Sequence, residues 1–280
     1  MISQDKMSKK AESVTFDWNV EEFSALLRAC NSRDDVAITC KYLKNKKLKI
    51  LEAGCGLGAV VKYLHDKGYE DVSGIELNKD AVLWINKKHP ELDIDYVDLL
   101  HMPFEKKTFD VVLSYGVIEH FIEGPQKPLQ AMFDILKPGG ICIITVPIFN
   151  TLRRVSYFLR KFNLKEKEVI RKVFGKKTLK LNKKNMGYYV EPQIGEFFEY
   201  RFTRKQFEFM CKKAGFKMLE SSSIAHIDGL FHSVFRPFVS FENWKFCLTP
   251  WGRRFNTVFK KIPSFHNHMH VCVVQKPLDK

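Results

Sequence analysis

A doubly wound α/β fold with a mostly parallel sheet is the architecture that residues 48–147 predict. Three observations carry it: short β-branched apolar runs alternate with helical stretches, the runs are apolar throughout, and spaced glycines join the first run to the first helix. Strands buried on both faces and alternating with helices belong to parallel sheets, because the crossovers lay helices on either side.

The first strand is LKILEA (48–53), and GAVVKYLHDKG (58–68) follows with apolar residues at helical spacing. VSGIEL (72–77) is the second strand, and NKDAVLWINKKHP (78–90) is a helix that stops at proline. DIDYV (93–97) and DVVLSY (110–115) are the third and fourth strands. QKPLQAMFDILKPGG (126–140) reads as a helix with a glycine stop, leading into the fifth strand, ICIITV (141–146). Each boundary rests on a change of hydrophobic period or on a Gly or Pro.

After Pro147 the rhythm breaks. Residues 148–200 form a basic insertion, with thirteen Lys and Arg between 151 and 184 against Glu166 and Glu168. Such a cluster attracts something anionic. FTRKQFEFMCKKAGF (202–216) is then a helix begun by Thr203 and ended by Gly215, followed by the strand FKMLESSS (216–223). An irregular segment, 225–265, carries Phe231, Phe235, Phe238, Phe241, Trp244, Phe246, Trp251, Phe255 and Phe259, and MHVCVVQK (269–276) is the last strand. The organisation is therefore a flexible N-terminus (1–18), N-terminal helices and a ligand-binding core (19–147), the insertion (148–200), and the rest of the core (201–280) carrying the aromatic segment.

The 280 residues are 45% hydrophobic and carry a net charge of +14, enough apolar material for a large core. No run of eighteen apolar residues occurs, and the first twenty residues lack the apolar centre of a signal peptide, so the expectation is a cytoplasmic protein. Seven scattered cysteines without a CxxC pair read as reduced thiols rather than a disulfide frame or zinc site. Cys55 could serve as a nucleophile, but packing of a small residue is the better account.

The stretch ILEAGCGLGAV (50–60) satisfies G-x-G-x-x-G/A with Gly54, Gly56 and Ala59. Loops of this kind usually receive phosphates, since the following helix offers free N–H groups and a partial positive charge. Glu52 stands at the entrance and would repel a phosphate. It favours a ligand bearing an amino group or sulfonium, and S-adenosylmethionine is such a ligand. Glu76, in GIELN, can accept hydrogen bonds from both hydroxyls of a ribose, or cap the helix that follows. NAD shares that ribose. Asp98, at the end of the third strand, is within reach of an adenine amino group.

Together LEAGCGLG, IELN, DLLHMPFEKKTFDVV, SYGVIEHF and LKPGG resemble the class I S-adenosylmethionine-dependent methyltransferases, in the small-molecule branch that contains the quinone-biosynthesis O-methyltransferases. The resemblance covers residues 48 to about 147 and, more weakly, 200–223. It implies a Rossmann-like seven-stranded sheet of order 3-2-1-4-5-7-6 with the last strand antiparallel. By position it implies that Glu52, Gly54 and Gly56 line the methionine moiety and that Gly58 starts the next helix. Glu76 would hold the ribose, and Leu77 would pack beside adenine. Asp98 would bond the adenine amine and Leu99 its ring nitrogen through the backbone. The backbone of Ser114, Tyr115 and Gly116 would face the methionine part. The two insertions depart from the family pattern, and acceptor specificity is expected there.

Methyl transfer from a sulfonium is an in-line displacement that needs alignment, exclusion of water and a nucleophilic acceptor. A phenol, with a pKa near ~10, would be helped by a base. His120, just beyond the fourth strand, is the candidate, with Glu119 to orient it; a structural Glu-His pair is the alternative. His226 and Tyr200 are weaker candidates. His266, His268 and His270 would share one strand face, but no acidic or cysteine cluster accompanies them, and no metal is expected. The absence of DPPY, NPPY and Pro-Cys argues against methylation of nucleic-acid amines or of cytosine C5.

The expected partner is a small or lipid-linked acceptor, methylated on oxygen in preference to nitrogen or carbon. The competing function is an RNA-binding protein or RNA methyltransferase using the basic insertion, although its aromatics stand among long aliphatics. A catalytically dead scaffold is disfavoured by the intact nucleoside positions. The basic amphipathic stretch around 152–173 suits a lid or an anionic membrane, and Trp and Phe beside Lys and Arg in 231–261 favour peripheral contact at a membrane's inner face.

Overall fold

Every core strand expected from the alternation is a strand in the computed structural model, which describes residues 16–154, 187–190, 197–231, 236–242, 245–261 and 263–279. Two N-terminal helices, α1 (Phe23–Ala29) and α2 (Asp34–Tyr42), precede β1 (Lys49–Ala53). Then come α3 (Ala59–Asp66), β2 (Asp71–Glu76), α4 (Lys79–Lys88), β3 (Asp93–Tyr96), β4 (Phe109–Tyr115), α5 (Gln126–Ile135) and β5 (Leu136–Pro147). Beyond these lie β6 (Gly187–Val190), β7 (Phe197–Arg201), α6 (Arg204–Lys213), β8 (Lys217–Ile224) and α7 (His226–Phe231). β9 (Val239–Glu242), β10 (Lys245–Leu248), α8 (Pro250–Lys260), α9 (Pro263–His266) and β11 (Met269–Gln275) complete the described chain.

The main sheet runs β3-β2-β1-β4-β5-β11-β8. Counting only its own strands, this is the order 3-2-1-4-5-7-6. β1 pairs in parallel with β2 and β4, β2 with β3, and β4 with β5. At the start of β5 and just past β11 the pairing reverses: Gly139 N–H donates to Lys276 O and Lys276 N–H to Gly140 O, each at 2.9 Å. Two residues bonded to one in this way, with Gly139 at φ +79°, form a glycine bulge of an antiparallel pair.

Two readings need correction. The helix expected over 126–140 ends at Ile135, and LKPGG belongs to β5. The residue before a proline is pushed out of the helical region, so Lys137 is extended. The extra residues are absorbed as a register shift between Phe109 and Val111 on β4. The segment 225–265, read as irregular, contains α7, the antiparallel pair β9 and β10, α8 and α9. Its crowded aromatics hide the periods that would have revealed them.

The chain divides into two compact units. The first comprises residues up to Val146 with Glu208–Ser222 and Val271–Lys280. Within it, one face of the sheet is closed by Leu57, Ala59, Val61, Val82, Ile85 and Ile94 with Phe23 and Cys55. Burial pushes the Cys55 thiol well above its ordinary value, so packing rather than nucleophilicity accounts for it. Asn78 caps α4, its Oδ1 accepting from Ala81 N–H at 2.9 Å. The buried ammonium of Lys276 donates to Phe133 O and Leu136 O, both at 2.8 Å, and so closes the carboxyl end of α5.

The second unit comprises Pro147–Phe207 and Ser223–His270. Rings of Phe197, Tyr200, Phe202 and Phe207 follow one another at 4.9 to 6.3 Å. Thr203 and Gln206 form a capping box on α6: Gln206 N–H reaches Thr203 Oγ1 at 3.3 Å and Thr203 N–H reaches Gln206 Oε1 at 2.9 Å. Arg153, at the start of the basic amphipathic stretch, turns inward and donates from Nη1 to Ile148 O at 3.0 Å. Nearly all of the basic cluster of 151–184, from residue 155 on, lies outside the described residues.

Candidate functional site

Because β3, β2, β1 and β4 are adjacent and parallel, the turns at their carboxyl ends stand side by side, which is where open α/β sheets take ligands. The glycine turn after β1 is tied to β2 by Gly54 and Cys55, whose N–H groups share Ile75 O at 2.8 and 3.0 Å. Gly54 has φ +83°, and a Cβ there would stand 2.5 Å from Val117. Gly56 has φ +57°, and a Cβ would meet the Trp18 indole at 2.6 Å. Both positions require glycine. Gly58 follows as the N-cap residue of α3.

Residues 16–18 lie across this turn. Trp18 covers Gly56, the Phe16 carbonyl accepts from the Asn78 side-chain amide, and the Phe16 ring meets His120 edge-on at 4.6 Å.

Glu52 is buried, and its Oε2 has no hydrogen-bond partner. Burial pushes its carboxyl up to about 8; Arg33 draws it down, Asp35 and Glu76 push it up, and the Val61 N–H lowers it. An orphaned acceptor of this kind is costly unless a donor arrives. Beside it is a set that sequence reasoning missed. Arg33 grips Asp35 with two hydrogen bonds of 2.9 and 2.7 Å, and its guanidinium lies 5.5 Å from the Tyr115 ring centre. The Tyr115 hydroxyl is hydrogen-bonded to Thr39 Oγ1, and burial pushes its pKa well up, keeping it protonated. Only the SRDD stretch at the start of α2 could have signalled this set, and that stretch is no recognised motif.

Glu76 accepts three backbone N–H groups: Gly56 at 2.8 Å on one oxygen, Leu77 and Asn78 at 2.9 Å on the other. Burial raises its pKa, and the Asn78, Gly56 and Leu77 amides oppose that. Since Asn78 is the helix cap, Glu76 is not. Glu76 braces the glycine turn, and a carboxylate's four acceptor directions leave one for a ligand. Asp98 takes Leu100 N–H at 2.9 Å and faces His101 Nδ1 at 3.0 Å, while Leu99 is buried beneath it. Ser114 is buried with no partner for its hydroxyl, and Gly116 N–H donates to Thr145 O at 3.0 Å.

His120 and Glu119 are buried in the 3-10 turn Ile118–His120, with Nε2 3.8 Å from Glu119 Oε1. The turn is in the same unit as the glycine loop. His226 belongs to the second unit, where Nε2 is 2.9 Å from Asn256 Oδ1 and Nδ1 is 2.8 Å from His266 Nε2. Both its ring nitrogens are thus engaged. Burial, with His226 adding to it, lowers His266 to about 4, so that ring is neutral at neutral pH. Tyr200 is buried in the aromatic row. The three histidines expected on one strand face are separated: His266 ends α9, His268 precedes β11 and faces Arg153, and only His270 lies in the strand, 3.3 Å from Ser223. Among the described residues no group of three or more His, Cys, Asp or Glu is placed to hold a metal.

The donor set tests what the site can hold. Glu52, Glu76 and Asp98 line three successive strand ends, and the guanidinium nearest Glu52 is already paired with Asp35. A pyrophosphate would meet carboxylates. A ligand with a cationic head and a nucleoside tail meets acceptors for its ammonium and hydroxyl groups, with the orphaned Glu52 oxygen supplying what the cation lacks.

Comparison with known proteins agrees. Residues 51–144 match the family described as methyltransferase domain. A ubiquinone biosynthesis O-methyltransferase of Rickettsia typhi is 32% identical over 150 residues, covering 50% of this chain and 59% of that protein. A probable S-adenosylmethionine-dependent methyltransferase of Mycolicibacterium smegmatis is 31% identical over 98 residues, covering 35% and 37%. The crystal structure of an S-adenosylmethionine-dependent methyltransferase from Methanosarcina mazei superimposes with a TM-score of 0.57 at 17% identity, over 86% of this chain and 98% of that one. The chain spans less than two thirds of the length of either curated relative. By family match residues 51–144 are a methyltransferase domain, set on the fold that the Methanosarcina mazei enzyme shares. The acceptors at the three strand ends fit S-adenosylmethionine.

Proposed function

We propose that the chain methylates an oxygen of a small or lipid-linked acceptor, in the manner of the quinone-pathway O-methyltransferases. The observation that carries the methyl-donor half is the orphaned, buried Glu52 carboxyl at the entrance of the glycine turn, followed by Glu76 on the next strand. The similarity to the Rickettsia protein supports oxygen as the acceptor atom, since it extends over 150 residues and so beyond the family match.

Bound there, S-adenosylmethionine supplies a sulfonium methyl group. Glu52 would receive the amino group, Glu76 one ribose hydroxyl through its remaining acceptor direction, and Asp98 the adenine amine. Phe16 and Trp18 exclude water from the turn. His120 takes the proton of a phenolic acceptor while Glu119 steadies the imidazole.

The test is incubation with methyl-labelled S-adenosylmethionine and, separately, hydroxylated aromatics with and without an isoprenoid tail, transfer RNA, and protein extract. Label on a phenolic oxygen is the expected result. Label on RNA or protein alone would remove the small-molecule reading. Failure to bind S-adenosylhomocysteine would remove the enzyme reading altogether.

A further inference from the structure

Helix α8, PWGRRFNTVFK, presents an apolar face to solvent. Trp251 is 62% exposed, Val258 59% and Phe255 41%. At about 100° per residue these three fall within one narrow sector, bordered on one side by Arg254 and Lys261. The seating of the helix explains the orientation. Gly252 packs so closely on the Phe238 turn that a Cβ would stand 2.1 Å from the Phe238 carbonyl oxygen. The side opposite Gly252 is therefore the outward one, and it carries Trp251, Arg254, Val258 and Lys261. Phe255 sits at its margin, its ring 5.8 Å from Phe238. In the same unit Phe241, on β9, is 50% exposed.

Charge completes the picture. From residue 243 to residue 278 the sequence contains no Asp or Glu, while Lys245, Arg253, Arg254, Lys260, Lys261 and Lys276 are all basic. Of these, Arg253, Arg254, Lys260 and Lys261 are exposed on or beside α8. Arg254 lies 5.9 Å from the Trp251 ring centre, the cation over the indole.

We propose that α8 docks in the headgroup layer of an anionic lipid bilayer. Trp251, Phe255 and Val258 enter the interface, and Arg254 and Lys261, which border them, meet the lipid phosphates. The combination of a basic flank with Trp and Phe at the centre suits a boundary that is charged on one side and apolar on the other. A second copy of the chain fits badly, because a two-fold contact through this face would set Arg254 and Lys261 against themselves. A nucleic acid would use the cations but would leave Phe255 and Val258 without a partner of their kind. No described helix is long and apolar enough to cross a membrane, so the contact is peripheral. The proposal goes beyond the methyl-transfer reading and does not depend on it.

Co-sedimentation of the full chain with vesicles tests it. One set contains equal parts phosphatidylglycerol and phosphatidylcholine; the other is phosphatidylcholine alone. Retention on the first set at low salt, absent on the second and lost at high salt, is expected. Each basic residue near such a surface adds roughly fivefold to partitioning, so neutralising Arg254 and Lys261 together lowers it by more than tenfold. Trp251→Ala lowers it about tenfold or more through lost apolar burial. Trp251 is exposed, so an unchanged melting curve certifies that variant's fold. In the parent, brominated lipid quenches tryptophan emission, and Trp251→Phe loses most of that quenching. Equal retention on both vesicle sets, no retention on either, or parent-like partitioning of the variants overturns the proposal. A Trp251-dependent shift in oligomeric mass, or loss of vesicle binding to competing RNA with no quenching by lipid, also overturns it.

Discussion

If Glu52 receives the cofactor's amino group, binding must expel a proton. The free protein holds this carboxyl in a buried place that pushes it up to about 8. At pH 7 it is therefore about nine-tenths protonated, and ionising it costs about 1.4 kcal/mol, one pKa unit's worth. A cation placed against it restores the carboxylate, so about 0.9 of a proton leaves per ligand bound, and affinity is roughly tenfold lower at pH 7 than with the group already ionised. Titration calorimetry with S-adenosylhomocysteine at pH 7, in buffers of different ionisation enthalpy, gives the proton count directly. The ligand's own amino group titrates nearby, so Glu52→Gln is the control, and its count should be smaller by most of one proton. The same shift sets a stability slope. A carboxyl raised in the folded state stabilises it fully below its ordinary value of 4.5 and loses that contribution as pH rises to about 8. Glu52→Gln should then melt higher than the parent above pH 8, with the gap closing towards pH 5. Equal proton release by parent and variant, or equal melting across that range, would refute the reasoning.

His120→Ala should lower turnover of a phenolic acceptor by about a hundredfold or more while leaving S-adenosylhomocysteine affinity near that of the parent, as steady-state kinetics and calorimetry will show. Glu76→Gln and Asp98→Asn should each weaken cofactor binding by about 1 to 3 kcal/mol by giving its hydroxyl and amine donors a poorer partner, measured by equilibrium dialysis. Because the Trp18 indole rests on Gly56, ligand binding should change its emission, and Trp18→Phe should abolish most of that change. Lys276→Met leaves the carbonyls of Phe133 and Leu136 without their donor and should cost about 1 to 3 kcal/mol in a denaturant melt.

The core was legible because its signals are local. Glu52, Glu76 and Asp98 end or follow strands whose apolar runs can be read one at a time, and the glycine spacing places the turn between them. Register could not be read where proline intervened, so Lys137 to Gly140 passed as helix. The contribution of Arg33, Asp35 and Thr39 was invisible, since α2 comes near Tyr115 only through tertiary packing across 76 residues. Phe16 and Trp18 gave no period to read, being two rings in a polar stretch. The second unit resisted for another reason: its aromatics are so dense that a helical face such as that of α8 does not stand out from the strands beside it.

The position of β11 sets the order of assembly. It follows every other strand of its sheet along the chain, yet it lies between β5 and β8, and the side chain of Gln275 reaches Gly139 O across 136 residues of chain. During synthesis β3, β2, β1, β4 and β5 can assemble once residue 147 has emerged. For more than a hundred further residues β5 lacks its β11 neighbour, and β8, once made, waits for the same strand. A twelve-residue strand with an open edge invites pairing with another chain. The nascent protein therefore depends on shielding of that edge until β11 arrives, and slowed translation between the codons for β5 and those for β11 would lengthen the hazard.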